Sequence, residues 1–180
     1  MATSGRGQRY SLNKTKYLLD PELEQLEDLL KRFADKDVRN VLLIELALKT
    51  GARAQELLNV CRADINSYDE TVLIRGIKGS GDREIPLPRP LFHRLMQYAS
   101  QLPGEKIFDV SYNRFRDIWV HYRPVPKKLH ALRHTFAIRL FKKTKDLRLV
   151  QMALGHRNIT NTMVYADYIY SQSELRKLIL

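Results

Sequence analysis

The segment from residue 38 to residue 49 constrains the fold most, because its apolar side chains cover nearly the whole circumference of a helix. Its centre, "VLLIELAL" at 41–48, is interrupted only by Glu45 and is far shorter than the roughly 20 residues that span a bilayer. A helix that is apolar all round is buried inside a domain. Gly51 follows, where a glycine commonly ends a helix. The sequence therefore predicts a central helix that the rest of the domain surrounds.

The remaining chain has helical periodicity with one interruption. "TVLIRGI" and "REIPL" are rich in β-formers and are separated by the turn sequence "KGSGD", which predicts a hairpin over residues 71–87. Asp20-Pro21-Glu22 is typical of a helix start, and "RAQELLNV" begins another short helix. Further helices are predicted over 90–100, 112–122, 131–143, 146–154, 160–168 and 173–179. The expected fold class is mainly α with a small antiparallel β-sheet, an α+β domain.

The first 19 residues are basic and poor in apolar side chains before Tyr17, so we expect a flexible basic arm over 1–19. Residues 20–180 then form a single domain, which suits the length of 180 residues. The start of the chain has no apolar signal core, and the one cysteine, Cys61, has no partner for an internal disulfide. A cytoplasmic location is expected.

The charge of the chain predicts its class of partner. Lysine and arginine number 31 against 20 aspartate and glutamate, which gives a formal net charge of +11. A domain with such an excess is a candidate for binding polyanions, nucleic acid first and anionic membranes second. No amphipathic helix with a basic polar face dominates the sequence, so nucleic acid is the stronger interpretation.

Three patterns suggest other chemistry and are explained better without it. His130 and His134 have the four-residue spacing of zinc ligands, but no third ligand is nearby. The glycines of "GIKGSGD" lack the order of a phosphate-binding loop and suit a hairpin turn. Cys61 has no evident base beside it and is expected to be a structural thiol. We expect no metal and no cofactor.

A set of polar residues lies at or near predicted helix ends and turns. Each has an ordinary interpretation: Arg53 and Lys78 as solvated side chains, His130 and His156 as helix caps, and Tyr165 as a core residue. Each also suits binding of a phosphate. Glu56 lies three residues after Arg53 and could hold its guanidinium, and Arg133 shares a helix face with His130.

Together and in this order, the residues resemble the active site of the tyrosine recombinase (phage integrase) family. "LKTGARAQELLNV" is similar to the first arginine box of that family, and "RGIKGSGDREIPLP" to its hairpin box, with Lys78 eight residues before Pro86. "LHALRHTFAIRLF" resembles the second box and "DLRLVQMALGHRNITNTMVYADY" the third, with the usual separation of histidine and tyrosine. The likeness extends from about residue 20 to residue 180.

The resemblance implies a site-specific DNA recombinase that cleaves and rejoins strands through a 3′-phosphotyrosyl intermediate, without metal or ATP. Tyr165, rather than Tyr168 or Tyr170, would be the nucleophile, and Lys78 would protonate the leaving 5′-oxygen. The other implied site residues are Arg53 and Arg133, converging on one phosphate and binding DNA with Lys78, then His130 and His156 as donors and Glu56 in support.

The partners implied are a double-stranded recombination site, possible host architectural DNA-binding proteins, and three further copies of the chain in a synaptic homo-tetramer. The segment from 171 to 180 would dock into a neighbouring protomer, and a monomer or weak oligomer is expected without DNA. Typical members carry an N-terminal core-binding domain, whereas about twenty residues precede the catalytic region here. The chain is thus expected to be a minimal recombinase, similar in size to the short fimbrial inversion recombinases, or a catalytic-domain fragment.

Two alternatives remain open at this stage. A type IB topoisomerase uses a similar tyrosine to relax DNA, although the box sequences and size favour the recombinase. A non-catalytic DNA-binding accessory protein would retain the fold alone, and the intact set of six residues argues against it.

Overall fold

Helices dominate the computed structural model, which describes residues 12–77, 79–168 and 172–180. The helices of this part of the chain follow the periodicity of the sequence closely. Their bounds are α1 Asp20–Phe33, α2 Val38–Thr50, α3 Ala54–Leu58, α4 Arg89–Ser100, α5 Tyr112–Tyr122, α6 Ala131–Thr144, α7 Leu147–Leu154 and α8 Gln172–Ile179. None of these helices combines the length and apolar character that crossing a bilayer would require.

A small antiparallel sheet interrupts the helices, which confirms the predicted fold class. Strands β1 (Ile65–Asn66), β2 (Thr71–Ile74) and β3 (Arg83–Pro86) are arranged in sequence order. Val72 pairs with Ile85 and Ile74 pairs with Arg83, as the predicted hairpin requires. The sequence did not predict β1, because a two-residue strand is too short to show alternation.

Helix α2 is the centre of the larger of two apolar clusters, as predicted. Val41, Leu42, Leu43 and Ile44 are completely buried, and α2 packs against α1, α3, α4 and α6. Gly51 ends the helix in the left-handed conformation with φ of +61°, and a Cβ atom there would lie 2.3 Å from the Phe136 ring. Glycine is therefore required both by the turn and by the close approach of α6.

The second cluster joins the N-terminal segment to α6 and α7. Leu12 and Tyr17 are buried in it together with Phe141 of α6, Leu154 of α7 and Tyr165. Residues 12–19 were predicted to belong to a flexible arm, and that prediction is wrong for this stretch, since its apolar side chains pack into the domain. Residues 1–11, the rest of the predicted arm, lie outside the described residues.

Hydrogen bonds hold the same segment in place. The Leu18 amide donates to Thr135 Oγ1 over 2.8 Å, and Lys127 Nζ donates to the Tyr17 carbonyl over 2.7 Å. Lys127 also pairs with Glu22 in the first turn of α1. The buried backbone of the segment is thus tied to the helix that carries Arg133.

The stretch 160–168 was predicted as an α-helix and forms two 3₁₀ turns instead, Ile159–Asn161 and Met163–Tyr168. Asn and Thr side chains compete with the helical backbone for hydrogen bonds. Asn158 Oδ1 accepts the Thr160 amide over 2.9 Å, and Thr162 Oγ1 bonds the ring of His156. Side-chain bonds therefore replace a regular helix here.

Helix α8 matches its prediction within one residue. Its apolar side chains beyond position 175 are not covered: the exposed fractions of Leu178 and Ile179 are 67% and 75%.

Candidate active site

Glu56, the third residue of α3, is a fully buried carboxylate around which one side of the site is assembled. It accepts hydrogen bonds from Arg83 Nη2 at 2.6 Å, from Ser80 Oγ at 2.8 Å and from the Arg53 amide at 2.8 Å. Arg53 Nη1 adds a further contact at 3.1 Å. A buried charge is tolerated only when it is paired and hydrogen-bonded, and Glu56 meets that condition on both oxygens.

The charge state of Glu56 follows from these contacts. Burial by itself would raise the pKa of the carboxyl group, since it disfavours the charged form. The hydrogen bond from Arg83, the amide of Arg53, the charge of Arg83 and the hydroxyl of Ser80 outweigh burial and lower the pKa to about 2. Glu56 is therefore an anion at neutral pH.

Arg53 is the N-cap residue of α3, and Glu56 fixes its position as the sequence predicted. A cation at a helix start opposes the helix dipole, and the carboxylate one turn later compensates for it. The guanidinium also donates to Ser80 Oγ in the β2–β3 turn. Its side chain remains 35% exposed, so part of the guanidinium group faces solvent.

Arg133, in the first turn of α6, is almost completely buried, with 2% of its surface exposed. Nη1 donates to the Gly51 carbonyl over 2.6 Å, and Nη2 donates to the Leu154 carbonyl over 2.9 Å. These carbonyls end α2 and α7, where the helix dipole is negative. Burial and the nearby Arg53 lower the pKa of Arg133 to about 9, so the group is still charged at neutral pH.

The neighbours of His156 determine its tautomer. Arg133 Nη2 lies 2.9 Å from Nε2, and because a guanidinium can only donate, Nε2 must accept. Nδ1 therefore carries the proton and donates to Thr162 Oγ1 over 2.9 Å. Burial, and then the charges of Arg133 and Arg53, lower the pKa of His156 to about 4, so the ring is neutral.

His130 and His134 lie one turn apart on α6, with ring centroids 4.7 Å apart and planes nearly perpendicular. His134 Nδ1 lies 2.9 Å from the hydroxyl oxygen of Tyr165. Tyr165 as a whole residue is 2% exposed. Although part of His130 is exposed, desolvation of its ring and the charges of Arg133 and Arg53 lower its pKa. Burial, then His130 and Arg133, lower the pKa of His134 to about 3.

A cavity of about 240 Å³ lies where these groups meet. Arg53, His130 and Arg133 line it together with Gln55, Ile77 and Tyr112. Arg133 Nη1 is 4.0 Å from the Glu56 carboxylate that also binds Arg53. The structure thus brings the two arginines, 80 positions apart in the sequence, to one cavity with room for a phosphate group.

Lys78, the remaining predicted residue, lies outside the described residues. Residues 80 and 81 dock beside His156: Ser80 forms a bridge with His156, and the Gly81 amide donates to the Gly155 carbonyl over 2.9 Å. Gly155 has φ of +68°, and a Cβ atom there would lie 2.6 Å from the Gly81 carbonyl oxygen. Only glycine allows this approach.

Sequence reasoning missed the roles of Arg83 and Ser80 and considered His134 only as a metal ligand. A signal for Arg83 exists in the alternation of β3, where Arg83 and Ile85 point inward and Glu84 and Pro86 outward. An inward arginine requires a buried anion, and Glu56 is that anion. Among the described residues, no group of three His, Cys, Asp or Glu side chains is placed to hold a metal ion, and His134 instead contacts Tyr165.

The buried position of Glu56 predicts a large effect of its removal on stability. Glu56→Ala should lower the free energy of unfolding by about 3–5 kcal/mol, because Arg83 would be left charged, buried and unpaired. Chemical denaturation at neutral pH measures this. Glu27→Ala is the matched control, since Glu27 makes exposed ion pairs with Lys49 and Arg139 and its loss should change stability little.

The same carboxylate predicts part of the acid sensitivity of the fold. The pKa of Glu56 falls from 4.5 to about 2 on folding, so its contribution is complete above pH 4.5 and is lost as the pH falls toward 2. Stability of the Glu56→Ala protein should therefore decline less steeply than that of the wild type across this range. Parallel declines would contradict the assignment of a paired, ionised Glu56.

Comparison with known proteins identifies the family of the chain. The model of the phage integrase family matches residues 16–171. The tyrosine recombinase XerA of Pyrococcus furiosus is 29% identical over 156 residues, which cover 79% of this chain and 54% of the relative. XerC of Staphylococcus aureus is 30% identical over 188 aligned positions, covering 93% and 62%.

A solved structure is similar as well. The XerH site-specific recombinase bound to its difH substrate, in a pre-cleavage complex, matches with a TM-score of 0.70 and 26% identity, covering 95% of this chain and 55% of that one. The chain thus spans a little over half the length of the relatives it matches. The family match, the similar sequences and the shared fold lead to one conclusion: this chain belongs to the phage integrase family and comprises a tyrosine recombinase catalytic domain.

Proposed function

We propose that this chain is a site-specific recombinase that cleaves and rejoins DNA strands through a covalent link to Tyr165. The observation that carries the proposal is the meeting of Arg53 and Arg133 at one cavity, over a shared buried carboxylate and beside His130. Arginine suits this role because its planar fork binds phosphate oxygens in pairs and is always charged.

Double-stranded DNA is the proposed substrate. The net charge of +11 favours a polyanion. The described lining of the cavity contains Arg53 and Arg133 and no acidic residue, and Glu56 is the carboxylate near both arginines. In the transition state the phosphate carries extra charge on its nonbridging oxygens, which the two arginines and His130 would stabilise. We place this activity in the cytoplasm, in keeping with the unpaired thiol of Cys61.

The proposed chemical step is balanced without an external energy source. The Tyr165 oxygen forms a bond to phosphorus, the bond from phosphorus to the 5′-oxygen breaks, and Lys78 donates a proton to that oxygen. The phenolic proton of Tyr165 passes to a base in the same step. Because the phosphotyrosyl bond conserves the energy of the phosphodiester, the reverse reaction on a new 5′-hydroxyl rejoins the strands.

Assembly into a tetramer on paired sites is the proposed context, with α8 of one protomer docking on the next. Exposed apolar side chains on α8 support this proposal. A groove of about 770 Å³ between β3, α6 and α7 offers a receptor, with Ile85, Phe136 and Leu149 among its apolar lining. Met152 on its rim is 62% exposed.

The assignment of the nucleophile predicts the outcome of a covalent trapping assay on a suicide DNA site. Tyr165→Phe should abolish the protein–DNA adduct and leave DNA binding nearly unchanged, because the ring still packs in the second cluster. Tyr168→Phe and Tyr170→Phe should still form the adduct. An adduct with the Tyr165→Phe protein would refute the proposal.

The role of Arg53 predicts both a rate and a salt effect. Arg53→Ala should slow cleavage by roughly 10²–10³-fold, as for one lost donor to a transition state. The slope of log affinity against log salt should also fall by about 1, since one phosphate contact is removed. Arg139→Ala, on the exposed side of α6, is the control for the general loss of a positive charge. Equal cleavage rates for the two variants would contradict the proposal.

The proposed role of the tail predicts a separation of two activities. Deleting residues 171–180 should impair recombination between two sites more than binding to one site, because only recombination needs contacts between protomers. Electrophoretic binding to a single site and a two-site recombination assay measure the two. Full recombination by the truncated chain would show that α8 does not link protomers.

A further inference from the structure

We propose that His134, the residue after Arg133, accepts the phenolic proton of Tyr165 during attack on DNA. This inference rests on the proposed function, because it requires Tyr165 to be the nucleophile. It adds a seventh residue to the six that the sequence pattern indicated, and that residue touches the reacting oxygen itself.

The burial of Tyr165 creates the need for such a group. With 2% of the residue exposed, its hydroxyl cannot pass a proton directly to bulk water. The Tyr165 ring belongs to the same apolar cluster as Val150, Leu154 and Phe141. His134 Nδ1, at 2.9 Å, is within the reach required of a general base.

His156, which also lies beside Arg133, is unsuited to this task. The lone pair of His156 Nε2 faces the guanidinium of Arg133, and its Nδ1 carries the proton that bonds Thr162. A second proton on His156 would break one of these contacts and place two cations together. His134, in the tautomer that carries its proton on Nε2, keeps a lone pair on Nδ1 for Tyr165.

The surroundings of His134 explain why its ring is neutral before DNA binds. Burial is the main reason that protonation of His134 is disfavoured, followed by the neighbouring ring of His130 and the positive charges of Arg133 and Lys16. Together they keep the ring neutral in the free protein. A phosphodiester bound between Arg53 and Arg133 adds a negative charge to the same region and offsets this repulsion. Proton transfer from tyrosine to His134 is thereby favoured when the substrate is present.

The step then has a complete proton balance. The phenolic proton moves to Nδ1 of His134 as the phosphorus–oxygen bond to Tyr165 forms, and Lys78 supplies a different proton to the leaving 5′-oxygen. In the reverse step His134 returns its proton to the departing tyrosine. Two separate groups therefore serve the two ends of the reaction.

The test is the single-turnover rate of adduct formation on a suicide DNA site, measured across pH for the His134→Asn protein. Asparagine retains an acceptor oxygen near the position of Nδ1 but cannot take up a proton. We expect the rate to fall by roughly 10²–10⁴-fold, the usual contribution of general acid–base catalysis. The remaining rate should rise about tenfold per pH unit, because hydroxide must then remove the proton; the wild-type rate should depend on pH less steeply. His93→Asn, an exposed histidine of α4, is the matched control and should match the wild type.

A more acidic phenol separates proton transfer from mere positioning. Difluorotyrosine at position 165 should restore much of the rate to the His134→Asn protein and change the wild-type rate less. If His134→Asn retains the wild-type rate and pH profile, or if the acidic phenol gives no rescue, His134 does not take the proton. Loss of the adduct in Tyr165→Phe together with an unchanged His134→Asn protein would overturn this inference alone, while an adduct in Tyr165→Phe would overturn the proposed function.

Misfolding does not obscure the result. A partly unfolded preparation lowers the amplitude of adduct formation but not the rate constant of the folded fraction. His134→Gln gives a second variant of different length, and the same steep pH dependence is expected of it.

Discussion

The buried guanidinium of Arg133 is the interaction on which the rest of the site depends. It joins the ends of α2 and α7 by donating to the carbonyls of Gly51 and Leu154, and it fixes the tautomer of His156. A cation placed so deep would be unfavourable without such partners. The two helix ends supply negative dipoles, and Glu56 lies 4.0 Å away. The charge of Arg133 and the packing of these helices therefore depend on the same hydrogen bonds, and neither could be changed without the other.

One network of charges, the arginine frame, joins Glu56 to Arg53, Arg83 and Arg133. Glu56 neutralises Arg83, which is buried, and at the same time holds Arg53, which is partly exposed. Ser80 contacts both Arg53 and Glu56 and thus extends this frame to the segment between β2 and β3. The pKa values of His134 and His156 are lowered, so these rings remain neutral and the positive field at the cavity comes from the arginines. That positive field is the basis of the proposal that the cavity binds a phosphate.

The sequence predicted the parts of the fold that depend on local pattern. Apolar periodicity located the helices, and Gly51 marked the end of α2 because only that residue type adopts the turn without strain. The order and spacing of the six site residues indicated the family. Contacts between distant segments were not predictable in the same way. The inward position of Arg83 is explained only by Glu56, 27 residues away, and the contact of His134 with Tyr165 spans 31. The 3₁₀ turns depend on individual side-chain bonds that periodicity does not detect.

The two 3₁₀ turns around Tyr165 give the catalytic domain an uneven distribution of local stability. Such turns have poorer hydrogen-bond geometry than α-helices and rarely persist without side-chain support. The arginine frame, in contrast, is anchored to α2, α3, α6 and α7. Local opening of the segment that carries Tyr165 therefore requires less free energy than disruption of the frame, in the way that amide hydrogen exchange distinguishes cooperative units within one protein. Fraying of these two turns would therefore leave the arginine contacts with α2, α3, α6 and α7 intact, so the stability of this segment and the integrity of the cavity are set by different interactions.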